Sequence, residues 1–94
     1  MKPEPVANYI VTSHAALEMG RRGLSRETVD RVMAAPEQWV EARTGRIILQ
    51  SRIFMEDAGR IYLIRVFVDV DRNPCEVVTV YRTSKVSKYW REEP

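Results

Sequence analysis

The apolar pattern of this chain changes period once, near residue 38, and that change restricts the fold more than any other feature. Before it, apolar residues recur along one helix face: Val29, Val32 and Met33 stand at i, i+3 and i+4. After it they alternate. In Arg60–Asp69, Tyr62, Ile64, Val66 and Val68 make an unbroken apolar face, and Ile61, Leu63, Arg65, Phe67 and Asp69 fall on the other. Helices are therefore expected at one end of the chain and strands at the other.

The helical end is well punctuated. Thr12-Ser13 is a start signal, because a hydroxyl there accepts from the orphan amides of a first turn. Ala15, Ala16, Leu17, Glu18 and Met19 are good helix formers, and Gly23 suits a helix end. Ser25 caps a second helix, with Glu27 at the positive end of its dipole and Leu24 placed to staple against Val29. Pro36 stops it at about Ala35.

The strand end reads as a meander. Tyr9-Ile10-Val11 is a short apolar segment of edge-strand type ahead of the helices. Gln38–Ala42 is a short strand, followed by a turn at Thr44-Gly45. Longer strands are expected at Arg46–Met55, Arg60–Asp69 and Cys75–Thr83, separated by a loop at 56–59 and a turn at 71–74. Ser84–Trp90 is expected as a short amphipathic helix anchored by Val86, Tyr89 and Trp90. Short turns favour antiparallel pairing. The expected fold is α+β: two N-terminal helices packed on a four-stranded antiparallel sheet, with a short C-terminal helix. A single domain covers 1–94: a flexible lead-in at 1–8, a helical pair at 12–35, an antiparallel sheet at 38–83 and a basic, aromatic tail at 84–94.

Composition excludes several classes. Apolar content of 45% with 30% charge belongs to a globular chain. No apolar run approaches the roughly 20 residues that span a bilayer, and no signal peptide is expected from the first residues, so no membrane partner and a cytoplasmic setting are expected. The single Cys75 and single His14 make neither a disulfide nor a zinc site, and no nucleotide-cofactor motif is present, so no metal and no cofactor are expected. Net charge is only +2, yet twelve of the fifteen cations are arginine. Codon usage and phosphate binding both enrich that planar donor fork.

One constellation carries chemistry. His14 opens the first helix, Arg52 and Arg65 lie on strands, and Tyr81-Arg82 ends the last strand with Lys85 and Lys88 beyond; Arg21 and Arg22 close the first helix. Such a set suits RNA cleavage without a metal. Histidine moves protons near neutral pH, arginines meet the charge that develops on phosphorus, and tyrosine orients a phosphate or stacks a base. In this reading His14, Arg65 and Tyr81 are catalytic, and Arg21, Arg22, Arg52, Arg82, Lys85 and Lys88 bind the RNA backbone. Plainer roles stand beside these. A histidine at a helix start commonly makes local hydrogen bonds. Arg65 pairs with Asp69 or a neighbouring carboxylate, or it faces a site. Trp39 and Trp90 suit core or rim packing, and Lys85 and Lys88 suit a solvated face.

The run His14-Ala15-Ala16-Leu17-Glu18-Met19-Gly20-Arg21-Arg22-Gly23-Leu24-Ser25 resembles the hallmark His-Ala-x-x-Arg-Met-x-x-Arg-Gly-Ile-Ser of the bacterial family labelled domain of unknown function 4258. Val77-Val78-Thr79-Val80-Tyr81 resembles that family's closing strand. The likeness spans about residues 9–83 and departs at Glu18, where the family carries arginine. More remotely the layout is similar to small RNase toxins of the RelE and BrnT kind, a RelE/barnase-like arrangement. That resemblance implies endoribonuclease activity, RNA as partner and a neutralising antitoxin protein. The alternatives are a non-catalytic module that binds RNA or protein, and a small homodimer joined through a sheet edge.

Overall fold

Two side-chain caps and one glycine delimit the helical pair in the computed structural model, which describes Val6 and residues 8–92. Helix α1 spans Ser13–Arg21, and Thr12 caps it by accepting from the Ala15 amide at 3.1 Å. The helix ends where Gly23 takes φ +64° and the Leu24 amide reaches back to the Met19 carbonyl at 2.9 Å. Glycine holds that left-handed turn without a Cβ penalty. Helix α2 spans Arg26–Ala34 behind Ser25, whose hydroxyl accepts from the Thr28 amide at 3.1 Å. Apart from Val6 and Asn8, the 1–8 lead-in lies outside the described residues; the Val6 amide donates to the Met33 carbonyl at the end of α2.

Strand β1 is Tyr9–Val11, β2 Gln38–Arg43, β3 Arg46–Met55, β4 Arg60–Asp69 and β5 Cys75–Thr83; a four-residue helix α3, Val86–Tyr89, follows. The strands form one sheet in the order β1-β5-β4-β3-β2. This corrects the expected four-stranded antiparallel sheet and its RelE/barnase-like description. The sheet has five strands and is mixed, because β1 pairs parallel to β5 with Val11 opposite Val77. The short-turn argument holds for β2 through β5, which are joined consecutively and pair antiparallel. It says nothing about β1 and β5, which are joined by both helices and three strands, and a parallel pair needs such a long connection. Tyr9 and Val11 are half-buried against the core, and Tyr9 also ties β1 to α2 by donating its hydroxyl to Asp30.

Both long helices cover one face of the sheet. α1 packs along β5, and α2 packs over β3 and β4. Ala15, Met19, Leu24, Val29, Val32 and Met33 meet Leu49, Ile53, Ile64, Val66, Val68, Val77 and Val80 in one buried cluster. Each of the valine, leucine, isoleucine and methionine side chains contributes about 1.5–3 kcal/mol when removed from water. The molecule measures 37 × 36 × 19 Å. A thickness of 19 Å accommodates the sheet and a single layer of helices, since packed layers stand about 10 Å apart. Among the described residues the second face carries no layer of long helices, although Ile48 and Leu63 on it are buried. Among the described residues no helix is long and apolar enough to cross a membrane.

Candidate nucleic-acid interface

The chemistry of the second face depends on an irregularity in β5. Phe67 pairs with Thr79, but Val68 pairs with Val77, so Val78 is an extra residue in the strand. Such a bulge reverses the side-chain alternation. Val77 and Val80 both turn to the helices and are fully buried, while Tyr81 comes out opposite Arg65 on the second face. A continuous register from the Val68–Val77 pair would set Tyr81 opposite Ile64, on the face that the helices cover. The start of α1 fixes the bulge from outside. The Thr12 amide donates to the Val77 carbonyl at 3.1 Å, and its hydroxyl donates to the Val78 carbonyl at 3.5 Å.

Four polar side chains then align across the sheet: Gln38, Gln50, Arg65 and Tyr81. They form one hydrogen-bonded row. Gln50 Nε2 donates to Gln38 Oε1 at 2.9 Å, Arg65 Nε donates to Gln50 Oε1 at 2.9 Å, and Arg65 Nη1 donates to the Tyr81 hydroxyl at 2.6 Å. Arg65 is 8% exposed and makes no ion pair with a carboxylate among the described residues. Asp69 is engaged elsewhere, by Arg46. A buried charge without a counter-ion is costly unless other groups meet it. Here aromatic rings do so: the guanidinium carbon of Arg65 lies 4.5 Å from the Tyr89 centroid, 5.7 Å from Tyr81 and 5.8 Å from Phe67.

The chain after β5 folds back over this row. The Tyr89 carbonyl accepts from Gln50 Nε2 at 3.2 Å, and the Gln38 side-chain amide bonds both the carbonyl and the amide of Arg91. Trp90 lies against the Arg52 guanidinium at 3.9 Å. Arg52 also forms a bidentate pair with Glu37, which holds the Glu37 carboxyl below its ordinary value, the side-chain hydrogen bond being the main cause. Lys88 stands 5.3 Å from the Tyr89 ring. Its charge pulls the Tyr89 phenol below the usual tyrosine range, with smaller pulls from Tyr81 and Arg65.

The sequence candidates divide by place. Arg65 and Tyr81 are in direct contact, with Lys88 beside them through Tyr89. Arg22 reaches the same group from the end of α1, 5.8 Å from the Tyr81 ring. Arg21 and Arg22 also flank Glu18, which is buried; Arg22 bonds one carboxylate oxygen at 3.3 Å, and the other accepts no hydrogen bond although Arg21 lies 3.5 Å away. Lys85 is exposed where β5 ends. Arg82 points to the helix side, paired with Asp57 at 2.8 Å and lying over Tyr62. His14 is exposed in the first turn of α1. Eight residues separate it from Arg22, about 12 Å along the helix axis, and among the described residues no side-chain hydrogen bond joins it to Arg65 or Tyr81.

Four residues of this face escaped the sequence reading as site residues: Gln38, Gln50, Phe67 and Tyr89. Gln50 was the one available signal, a lone amide inside an Ile- and Leu-rich strand. It is fully buried, and a buried amide requires polar neighbours.

The arrangement suits an anion that brings flat rings with it. Because the Tyr81 oxygen already accepts from Arg65, its own proton is left to donate, to the Tyr89 oxygen or to an anion that takes its place. Lys85 and Lys88 add charge without an ion pair to a carboxylate among the described residues. No family model, curated protein or solved structure matches the chain.

Proposed function

We propose that the chain is an endoribonuclease that works without a metal, of the type found as toxins in toxin–antitoxin pairs, and that its phosphate centre is the Arg65–Tyr81–Tyr89 group. The observation that carries this reading is Arg65: a buried guanidinium with no carboxylate among the described residues, aimed at a tyrosine hydroxyl. In the cleavage, the 2′-hydroxyl attacks phosphorus and the bond to the 5′-oxygen breaks. One proton leaves the attacking oxygen for the Tyr89 oxygen, and the Tyr81 hydroxyl delivers its proton to the leaving 5′-oxygen. Tyr81 donates to the phosphate, and Arg65 positions it and opposes the growing negative charge. Tyr89, edge-on to Tyr81 with ring centroids 6.2 Å apart and its phenol held below the usual range, takes that proton. Arg22, Lys85 and Lys88 hold the flanking phosphates. An antitoxin protein would act by covering this face. The likeness of the His14–Ser25 run to an uncharacterised bacterial family is compatible with this reading.

A second reading, a non-catalytic RNA-binding module, has one observation in its favour. The chain's only histidine is exposed and makes no side-chain hydrogen bond to the cation–ring group among the described residues. Cleavage of a mixed-sequence RNA in EDTA decides between them. The enzyme reading expects cleavage that falls roughly 100-fold or more in Tyr81→Phe, the scale of acid/base catalysis, and persists in His14→Ala. Bound but intact RNA supports the module instead. Cleavage lost only in His14→Ala rejects the assignment of the centre.

A further inference from the structure

Phe67 and Tyr81 are neighbours across β4 and β5, with ring centroids 6.0 Å apart and planes tilted by 37°. Tyr89 continues the series edge-on, 6.2 Å from Tyr81 at 75°. Phe67, Tyr81, Thr79 and Val40 are all half-buried on the face that the helices leave open. The segment 89–91 covers the level of Arg65, one step along the sheet from Phe67. Phe67 stands opposite the buried Ile48 on this face, and the main buried cluster lies on the other side of the sheet.

We infer that the Phe67–Tyr81 pair is a stacking platform for an unpaired nucleobase, so that the substrate class is single-stranded RNA. This rests on the RNA reading above and adds to it the state of the strand. The charge around the rings names the occupant. Arg22 approaches the Tyr81 ring at 5.8 Å, Lys88 approaches Tyr89 at 5.3 Å, and Arg65 lies between the rings. Cations interleaved with half-buried aromatic rings match a strand that alternates phosphates with bases. A duplex cannot use such a platform. Its base faces are stacked inside, and the major groove of an RNA helix is too narrow and deep for side chains on a sheet to enter.

The test is fluorescence anisotropy with a labelled 2′-O-methyl oligonucleotide, which cannot be cleaved through its 2′-oxygen, as a single strand and as a duplex of the same sequence. The single strand is expected to bind at least about tenfold tighter. Phe67→Leu, which keeps an apolar residue on the strand, is expected to lose about tenfold in single-strand affinity, within the range for one base on one ring. Tyr81→Phe, which keeps the ring, is expected to retain the single-strand preference. Equal binding of duplex and single strand, or unchanged affinity in a folded Phe67→Leu protein, overturns the platform and leaves the phosphate centre standing. Failure to bind RNA in either form overturns the RNA reading and the platform together.

Discussion

Arg65 donates to the Tyr81 hydroxyl across two adjacent strands at 2.6 Å, and the contact exists because one extra residue in β5 turned Tyr81 out of the helix-covered face. Each partner has a distinct weight. Arg65→Met is expected to reduce cleavage by roughly 100-fold or more, because it removes fixed charge from the transition state. It should also destabilise by about 1–3 kcal/mol, since it strands the buried Gln50 Oε1 that Arg65 Nε serves. Tyr81→Phe strands a buried donor and is expected to destabilise by about 1–3 kcal/mol. Initial rates and thermal melts on both variants check the pair.

Two glycines with similar backbones should respond differently to alanine. Gly45 has φ +82°, and a Cβ there would stand 2.7 Å from an Asp71 carboxylate oxygen. Gly59 has φ +67° with nothing within 4 Å. Gly59→Ala meets only the left-handed backbone penalty, about 1–2 kcal/mol. Gly45→Ala adds a collision, so its melting temperature should fall further. Equal shifts in the two melts would show that Asp71 moves aside freely.

Acid should weaken the fold in part through Asp69. Its carboxyl lies below the ordinary value, chiefly because Arg46 hydrogen bonds to it. A depressed carboxylate contributes stability that is complete above the unfolded value of about 3.9 and is lost as pH falls through it toward the lower folded value. Asp69→Asn should therefore be less stable than the parent at pH 7 and converge toward it near pH 3. Melts across that window measure the difference, and a constant gap at all pH values contradicts the linkage.

The rate of cleavage should depend on Lys88 through Tyr89. The Lys88 charge is the largest influence that lowers the Tyr89 phenol. With Tyr89 as the proton acceptor, the rate should rise with pH and level off below the usual tyrosine value of about 10. Lys88→Met removes the stabilising charge and should move that limb to higher pH. A limb that stays in place when Lys88 is replaced would assign the titration to another group.

What could be read from the sequence follows from how local each cause is. Arg46–Met55, Arg60–Asp69 and Cys75–Thr83 are bounded as their alternation and turn residues require, and Thr12, Gly23 and Ser25 punctuate the helices through their own side chains and backbone. The parallel β1–β5 pair was not legible, because its partners lie more than sixty positions apart and no turn chemistry links them. The Val78 bulge was equally hidden. Val77, Val78 and Val80 read alike in sequence, and only pairing with β4 and the Thr12 contacts decide which of them is displaced. Arg65 and Tyr81 were recognisable as chemistry, but their contact depended on that bulge. His14 drew attention by being the only histidine, which says nothing about its neighbours; it is exposed on α1.

The most direct test of the central claim is NMR mapping of backbone amides as a short 2′-O-methyl RNA is titrated in. The account predicts shifts along residues 65–67, 79–83 and 85–90, with His14 and α2 unmoved. Shifts confined to α1 around His14, or to the β2 edge away from Arg65 and Tyr81, would contradict it.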